Sequence, residues 1–402
     1  MMTALFSAAA SLRAHQSELD VLGNNIANIS TPGYKGEQAL FQELLVSTLQ
    51  SASAPSGALG GINPIQVGQG ANVGGVSRNF SNGSVQATGR PTDLALAGDG
   101  FFVVSDGKQQ FYTRDGSLSL DANGQLVTSG GLTVMGWAGK GAGPGSALGA
   151  LQVPVNEVLP AQATASVSLN GNLDSATATD GKATTTFSIY DSLGEAKQIS
   201  VAFTHNADGS WTWNAAGPDG AAAGTGQLTF DASGKLAAGG TGTLAITLPG
   251  ATPTTLSVQT DFSALSQVAG SSTASLKTQD GTTSGAYRAL NIDSRGVLTA
   301  SYTNGVEKEL GRVALSRFVN PSGLTSLGSN LYAASANSGQ PQPAGAGDDA
   351  SLKLVSKALE MSNVDLSTEL TQMIVAQRGF QANAKVITAT DEVLQELLAL
   401  KR

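Results

Sequence analysis

The chain has no cysteine, so neither disulfides nor thiol chemistry can contribute to it. His15 and His205 are its only histidines, whereas a zinc site or a catalytic triad needs several clustered ligands. His15 falls on a helical seam and reads as a packed or edge residue; His205, in the turn-like "THNADG", reads as a solvated loop residue. No apolar run approaches the roughly 18 residues needed to span a membrane. Charge is scarce as well, 13% of residues against a usual value of about 25%. The net charge of -8 argues against a nucleic-acid partner. No phosphate loop is present either. "GQGANVGG" does not fit the dinucleotide pattern, and Lys140 in "AGKGAG" lacks the Ser or Thr that should follow it.

What the chain does have is a helical pattern at each end. Leu5, Ala8, Leu12, His15, Leu19, Leu22, Ile26 and Ile29 follow a strict 3-4 spacing, a heptad seam along a helix roughly 39 Å long. Thr31-Pro32-Gly33 ends it, because Pro disfavours the α conformation in the residue before it and Gly tolerates any turn. The opening "MMTALFSAAASLRAHQ" mimics a signal peptide, but no basic residue precedes its apolar stretch of about seven residues, and it belongs to the same heptad pattern. At the other end Leu366, Leu370, Met373, Gln377, Phe380, Ala384, Ile387, Asp391, Leu394 and Leu398 run at 4-3 spacing, with Asp365 or Ser367 as N-cap. One apolar face cannot offset the ordering of either helix alone, so the two need each other and copies from neighbouring molecules. Asn24, Asn25 and Asn28 lie beside the seam, where amides can bridge to another helix.

Between the ends, residues 36 to 75 hold "ALFQELLVSTL", expected as a short helix, and "SASAPSGALGGINP", expected as a linker. Asp-x-x-Gly then recurs at Asp121, Asp191, Asp231 and Asp293, each followed by apolar alternation, and reads as a type I turn opening a hairpin. None supplies the alternating acidic ligands of a calcium loop. Charge marks a boundary. No Arg occurs between Asp115 and Arg288, and residues 146 to 284 hold ten acids against four Lys, which is -6 of the chain's -8.

"LGNNIANISTPGYK", residues 22 to 35, resembles the N-terminal signature of the bacterial flagellar axial proteins, the rod, hook and hook-associated subunits. The run "LEMSNVDLSTELTQMIVAQRGFQANAKVITATDEVLQELLALKR", 359 to 402, is similar to their C-terminal signature. "DLALAGDGFFVV" and "YTRDGSLSLDANGQLVTSGGLTVMGW" resemble the β-rich region shared by rod and hook subunits. "FSIYDSLGEAKQISVAFT" resembles the inserted domain of hook proteins, which points to a hook subunit rather than a shorter rod subunit. Two features depart from the pattern. Lys357 stands where the family often has Gly, and residues 36 to 75 are as similar to a rod subunit as to a hook.

The expected fold is α+β and multidomain, with long coiled-coil-like terminal helices and two β-rich antiparallel domains nested by insertion. Its divisions are a helical inner-tube domain (1–33 and 362–402), a connector (34–70), a discontinuous β-rich domain (71–145 and 285–361) and an inserted acidic outer domain (146–284). The resemblance implies a subunit that self-assembles into the hollow, curved hook, the universal joint between rod and filament. It implies partnership with itself, with rod, hook-cap and hook–filament junction proteins and with the flagellar export apparatus. It also implies an extracellular location reached without a cleavable signal peptide. No nucleic acid, membrane insertion, cofactor, metal or catalytic residue is expected. The assembly interface is expected at Leu5, Leu12, Leu19, Leu22, Asn24, Asn25, Ile26, Asn28, Ile29, Leu366, Leu370, Met373, Phe380, Ile387, Leu394 and Leu398. A distal rod subunit of the same family, which would lack the large insert, and a secreted β-rich adhesin, which would not need matched heptads at both ends, are the alternatives.

Overall fold

The structure is a computed structural model that describes residues 2–52, 54–55, 60–248, 254–349 and 352–399. Helices stand at the two termini, α1 (Met2–Ala27) and α2 (Leu366–Ala399), with a body of mainly antiparallel strands between them. The chain divides into two compact units, one of 1–153, 290–299 and 309–402, the other of 154–289 and 300–308.

In the first unit, α1 is built from Ala, Leu, Ser and Gln with few β-branched residues, which favours helix throughout. Its last turn tightens as Asn28 N–H donates to the carbonyls of Asn24 and Asn25 and Thr31 N–H to that of Asn28. α2 starts where Asp365 caps it: Oδ1 accepts the amides of Ser367 (2.8 Å) and Thr368 (3.2 Å). The two helices pack against each other. On α1, Ala8, Ala14 and Leu22 are buried, and on α2 Ala376 is buried.

The α2 seam differs from the expected one by a rotation. Met373, Ala384, Ile387 and Leu394 remain on it, but the alternate track is Ala376, Asn383 and Thr390, while Gln377, Phe380 and Asp391 are exposed. At Gly379 a Cβ would lie 2.8 Å from His15 Nε2, so the imidazole occupies the notch that the glycine leaves. His15 also pairs with Glu18 at 3.0 Å and meets the Phe41 ring.

The segment expected as a short helix is instead extended. Strands β1 (Glu37–Glu43) and β2 (Val46–Gln50) pair antiparallel with β4 (Ala71–Arg78) and β3 (Ile65–Gly68) respectively. Eleven residues are marginal for a helix, and the glycine-rich 68–78 segment supplies a partner strand. Further along, strands from the two halves of the chain pair across: Leu94–Gly98 with Leu352–Ser356, and Val85–Ala87 with Ala358–Glu360. Phe101, Val103, Tyr112, Trp137, Phe318 and Tyr332 form a core there, and Phe80 packs on it.

The second unit is a sandwich. Its five-stranded sheet runs Lys182–Tyr190, Ala196–His205, Trp211–Ala216, Ala222–Phe230, Leu236–Ala238, each strand paired antiparallel with the next. A four-stranded sheet has the order Thr241–Leu248, Thr254–Val268, Ser166–Asp174, Ser275–Gln279, with its central pair parallel. One core unites them, including Leu169, Phe187, Val201, Phe203, Trp211, Trp213, Leu244, Val258 and Phe262.

All four Asp-x-x-Gly segments are the turns that their spacing suggests. In each, Gly N–H donates to the Asp carbonyl (2.9–3.0 Å), and the Asp Oδ1 accepts two amides, two and four residues on. Each Gly has φ between 75° and 82°, the left-handed region that glycine enters without penalty.

Candidate functional site at the junction of helices and β body

Where the terminal helices join the β body, the first unit concentrates its polar chemistry. Asn25, 1% exposed, is saturated by its own chain. Its Nδ2 donates to the Glu37 carbonyl (2.7 Å) and to Glu369 Oε2 (3.2 Å), and its Oδ1 accepts the Glu37 amide (2.9 Å) and the Tyr34 hydroxyl (3.1 Å). Asn24 Nδ2 donates to the Tyr34 hydroxyl, and Asn28 Nδ2 to the Asn24 carbonyl and Oδ1. Thr31 Oγ1 donates to Asn28 Oδ1, and Asn330 Nδ2 to the Pro32 carbonyl. The three asparagines were expected to face another helix. Asn25 does so through Glu369, which belongs to α2, and it also holds the helix end onto its own connector. The Tyr34 hydroxyl is pushed up to about 12 by burial and by the Glu37 carboxylate. Arg78 pairs with that carboxylate.

Gly33 sits with φ 69° where a Cβ would lie 2.7 Å from the Arg114 carbonyl carbon and the Asp115 nitrogen. The Pro-Gly stop thus serves a close crossing of two backbones. Two residues on, Lys35 is fully buried. Its Nζ donates to Glu360 Oε1 (2.6 Å) and to the Ser81 carbonyl (2.7 Å). Glu360 is 1% exposed; its Oε1 also accepts the Gly83 amide, and its Oε2 lies 3.6 Å from Arg114 Nη1. Arg114, equally buried, donates to Asn82 Oδ1 and stands 5.0 Å over the Phe101 ring. Burial pushes the Lys35 ammonium and the Arg114 guanidinium below their ordinary values, and Glu360 partly restores both.

The expected interface residues fall into three groups. Leu22 and Asn25 are buried within the chain, and Leu5, Leu12, Leu19, Ile26, Asn28, Ile29, Met373, Ile387 and Leu394 are half-buried. Asn24, Leu366, Leu370 and Phe380 are exposed. The Leu398 side chain lies outside the described residues. Lys35, Arg114 and Glu360 were missed. Their signal was present: each is a charged residue inside one of three family-like motifs, "TPGYK", "YTRDG" and "LEMSN", in a chain with few charges. Among the described residues no group of His, Cys, Asp or Glu is placed to hold a metal, and no helix is long and apolar enough to cross a membrane.

Family models match four stretches of the chain, and Lys35, Arg114 and Glu360 fall within them. Residues 7–35 match the flagella basal body rod protein model and 355–400 the flagellar basal body rod FlgEFG protein C-terminal model. Residues 95–174 match the flagellar hook protein FlgE/F/G D1 domain, and 157–282 the flagellar basal body protein FlaE D2 domain. The flagellar hook protein FlgE of Treponema pallidum is 33% identical, with all of both chains covered. This chain belongs to the flagellar hook protein family. FlgE of Salmonella typhimurium is also 33% identical, over 98% of this chain and all of that one. The flagellar basal-body rod protein FlgG of Bacillus subtilis is 30% identical with full coverage of both. A crystal structure of Helicobacter pylori flagellar hook protein FlgE2 aligns with TM-score 0.56 at 14% identity, covering 69% of this chain and all of that one, which supports the fold. The family is structural. The chain is a structural subunit of the hook, and the rod alternative is not favoured.

Proposed function

We propose that copies of this chain stack into the hook wall through the outward apolar side of α2 and the apolar hairpin of the connector, with the helices innermost and the β units further out. One observation carries this reading. After α1 has covered one side of α2, Leu370 (44%), Ile374 and Val375 (65%) remain exposed, as do Leu45 and Leu49 on the hairpin. Large apolar side chains left exposed on a helix and on a hairpin are best covered by a partner, and a sequence low in charge repels its copies only weakly. On this reading, 1–33 with 362–402 form the inner layer, 34–70 the connector, 71–145 with 285–361 the middle layer and 146–284 the outer one. Rod, cap and junction proteins meet the tube's ends, and the flagellar export apparatus delivers the chain without a cleaved leader. No catalysis or cofactor enters.

Val375→Asp tests the interface. The side chain faces water in the single chain, so the fold and its circular dichroism stay unchanged. In the tube, a desolvated unpaired carboxylate costs several kcal/mol, and electron microscopy after forced assembly should show no tubes. Tubes of normal abundance would mean that this face of α2 meets solvent in the polymer.

A further inference from the structure

Lys35 follows α1 by eight residues, and Glu360 precedes α2 by six. Both chain ends therefore enter the β body through the same buried charge cluster, whose third member, Arg114, belongs to the body itself. The backbone repeats the connection: Gly33 N–H donates to the Glu360 carbonyl (2.8 Å), and Gly36 N–H to Asn363 Oδ1 (2.9 Å). Asn363 Nδ2 in turn donates to the carbonyls of Asn79 and Ser81, and Lys35 shares the Ser81 carbonyl.

The charges of the three residues make partial docking unequal. With the C-terminal segment docked and the N-terminal one released, Glu360 keeps Arg114 as counter-ion. With the N-terminal segment docked and the C-terminal one released, Lys35 keeps the Ser81 carbonyl but loses its anion, and the charge left beside it is the Arg114 cation. A desolvated charge without a partner is strongly disfavoured. We infer that Lys35, Glu360 and Arg114 form an ordered latch, in which the N-terminal segment docks only on a body already carrying the docked C-terminal segment.

Amide hydrogen exchange on the full, unassembled chain tests this latch. The Asn79 amide, which donates to the Gly36 carbonyl, reports the N-terminal segment, and the Met361 amide, which donates to the Ser84 carbonyl, reports the C-terminal one. Amides of the strand Ala196–His205 in the second unit serve as a folding control. Glu360→Gln should speed exchange at Asn79 by ~100-fold or more. Lys35→Met should change Met361 by no more than ~10-fold, because Arg114 still holds the carboxylate. In the double variant Lys35→Met/Glu360→Gln no cation is stranded at position 35, so Asn79 should exchange at least ~10-fold more slowly than in Glu360→Gln alone. A side chain that merely packs or hydrogen-bonds would give the opposite, a double variant no slower than the single. That result overturns the latch, as does acceleration confined to Met361 in Glu360→Gln. Lack of protection at Asn79 and Met361 in the unaltered chain overturns it too, since the latch would then be open.

Discussion

Asn25→Ala separates an internal role from an assembly role. The carboxamide makes four hydrogen bonds. Glu369 is half-buried and can hydrate, and the Tyr34 hydroxyl goes on accepting the Asn24 amide although its own proton loses its acceptor. The Glu37 backbone keeps no partner at either group. Because the adjacent Gly36 carbonyl takes the ladder bond from Asn79, the Glu37 N–H and C=O point away from β4 and toward Asn25. Two backbone groups left unpaired at a half-buried position cost about 1–2 kcal/mol each, about 2–4 in all. Exchange of the Glu37 amide should therefore accelerate by ~30-fold to ~1000-fold in the unassembled chain, at roughly 1.4 kcal/mol per tenfold. Amides of the second unit should be unaffected. If Asn25 instead served a contact between copies, exchange in the single chain would be unchanged and only polymerisation would weaken. That outcome would refute the internal role.

Gly33→Ala places a methyl group against the Arg114–Asp115 backbone at a left-handed position and should destabilise the first unit by more than ~2 kcal/mol in urea unfolding; a loss below 0.5 kcal/mol, on the order of a surface substitution, would contradict the close crossing. Lys357 has φ 58°, a region that glycine enters without strain, so Lys357→Gly should stabilise by about 0.5–1 kcal/mol, and a destabilised variant would mean that the lysine side chain has a compensating role. Tyr34 should titrate near pH 12, and the ultraviolet difference between the unaltered chain and Tyr34→Phe should show it. Its phenol, raised above the ordinary value of about 10, contributes stability fully present below pH 10 and lost as pH rises through 12, at most about 2–3 kcal/mol; a difference signal centred on pH 10 would mean the hydroxyl is not buried.

Elements governed by local rules were legible. The Asp-x-x-Gly turns depend on one side chain and one glycine, so spacing alone locates them, and it narrows the α2 cap to Asp365 or Ser367, of which Asp365 is the cap. The segment "ALFQELLVSTL" was not legible, because its strand state is decided by a partner some thirty residues away. The charge cluster at Lys35, Arg114 and Glu360 fails for the same reason at longer range: no periodicity links positions 35, 114 and 360. Lys357 shows the converse. In sequence it is only a departure from a motif that often has glycine there, and its positive φ accounts for that preference.

The harder distinction is between burial within the chain and burial between chains. A heptad pattern reports only that a face avoids water, and desolvation has the same physical effect whichever molecule supplies the cover. Leu22 and Leu370 are therefore equivalent in sequence, both leucines on an apolar track, yet one is 4% exposed and the other 44%. What separates them is how much of the helix the rest of the chain can reach. α1 has 26 residues against the 34 of α2, and it covers the track led by Met373, Ala376 and Ile387, leaving Leu370, Ile374 and Val375 open. A substitution on the covered track disturbs the monomer first, and one on the open track disturbs only the polymer. Val375→Asp and Leu22→Asp should thus differ in order of failure: the first keeps the helix pair and loses tubes, and the second loses the helix pair before assembly begins. Equal protection of α1 from proteolysis in the two unassembled variants would show that the covered track does not hold the pair together.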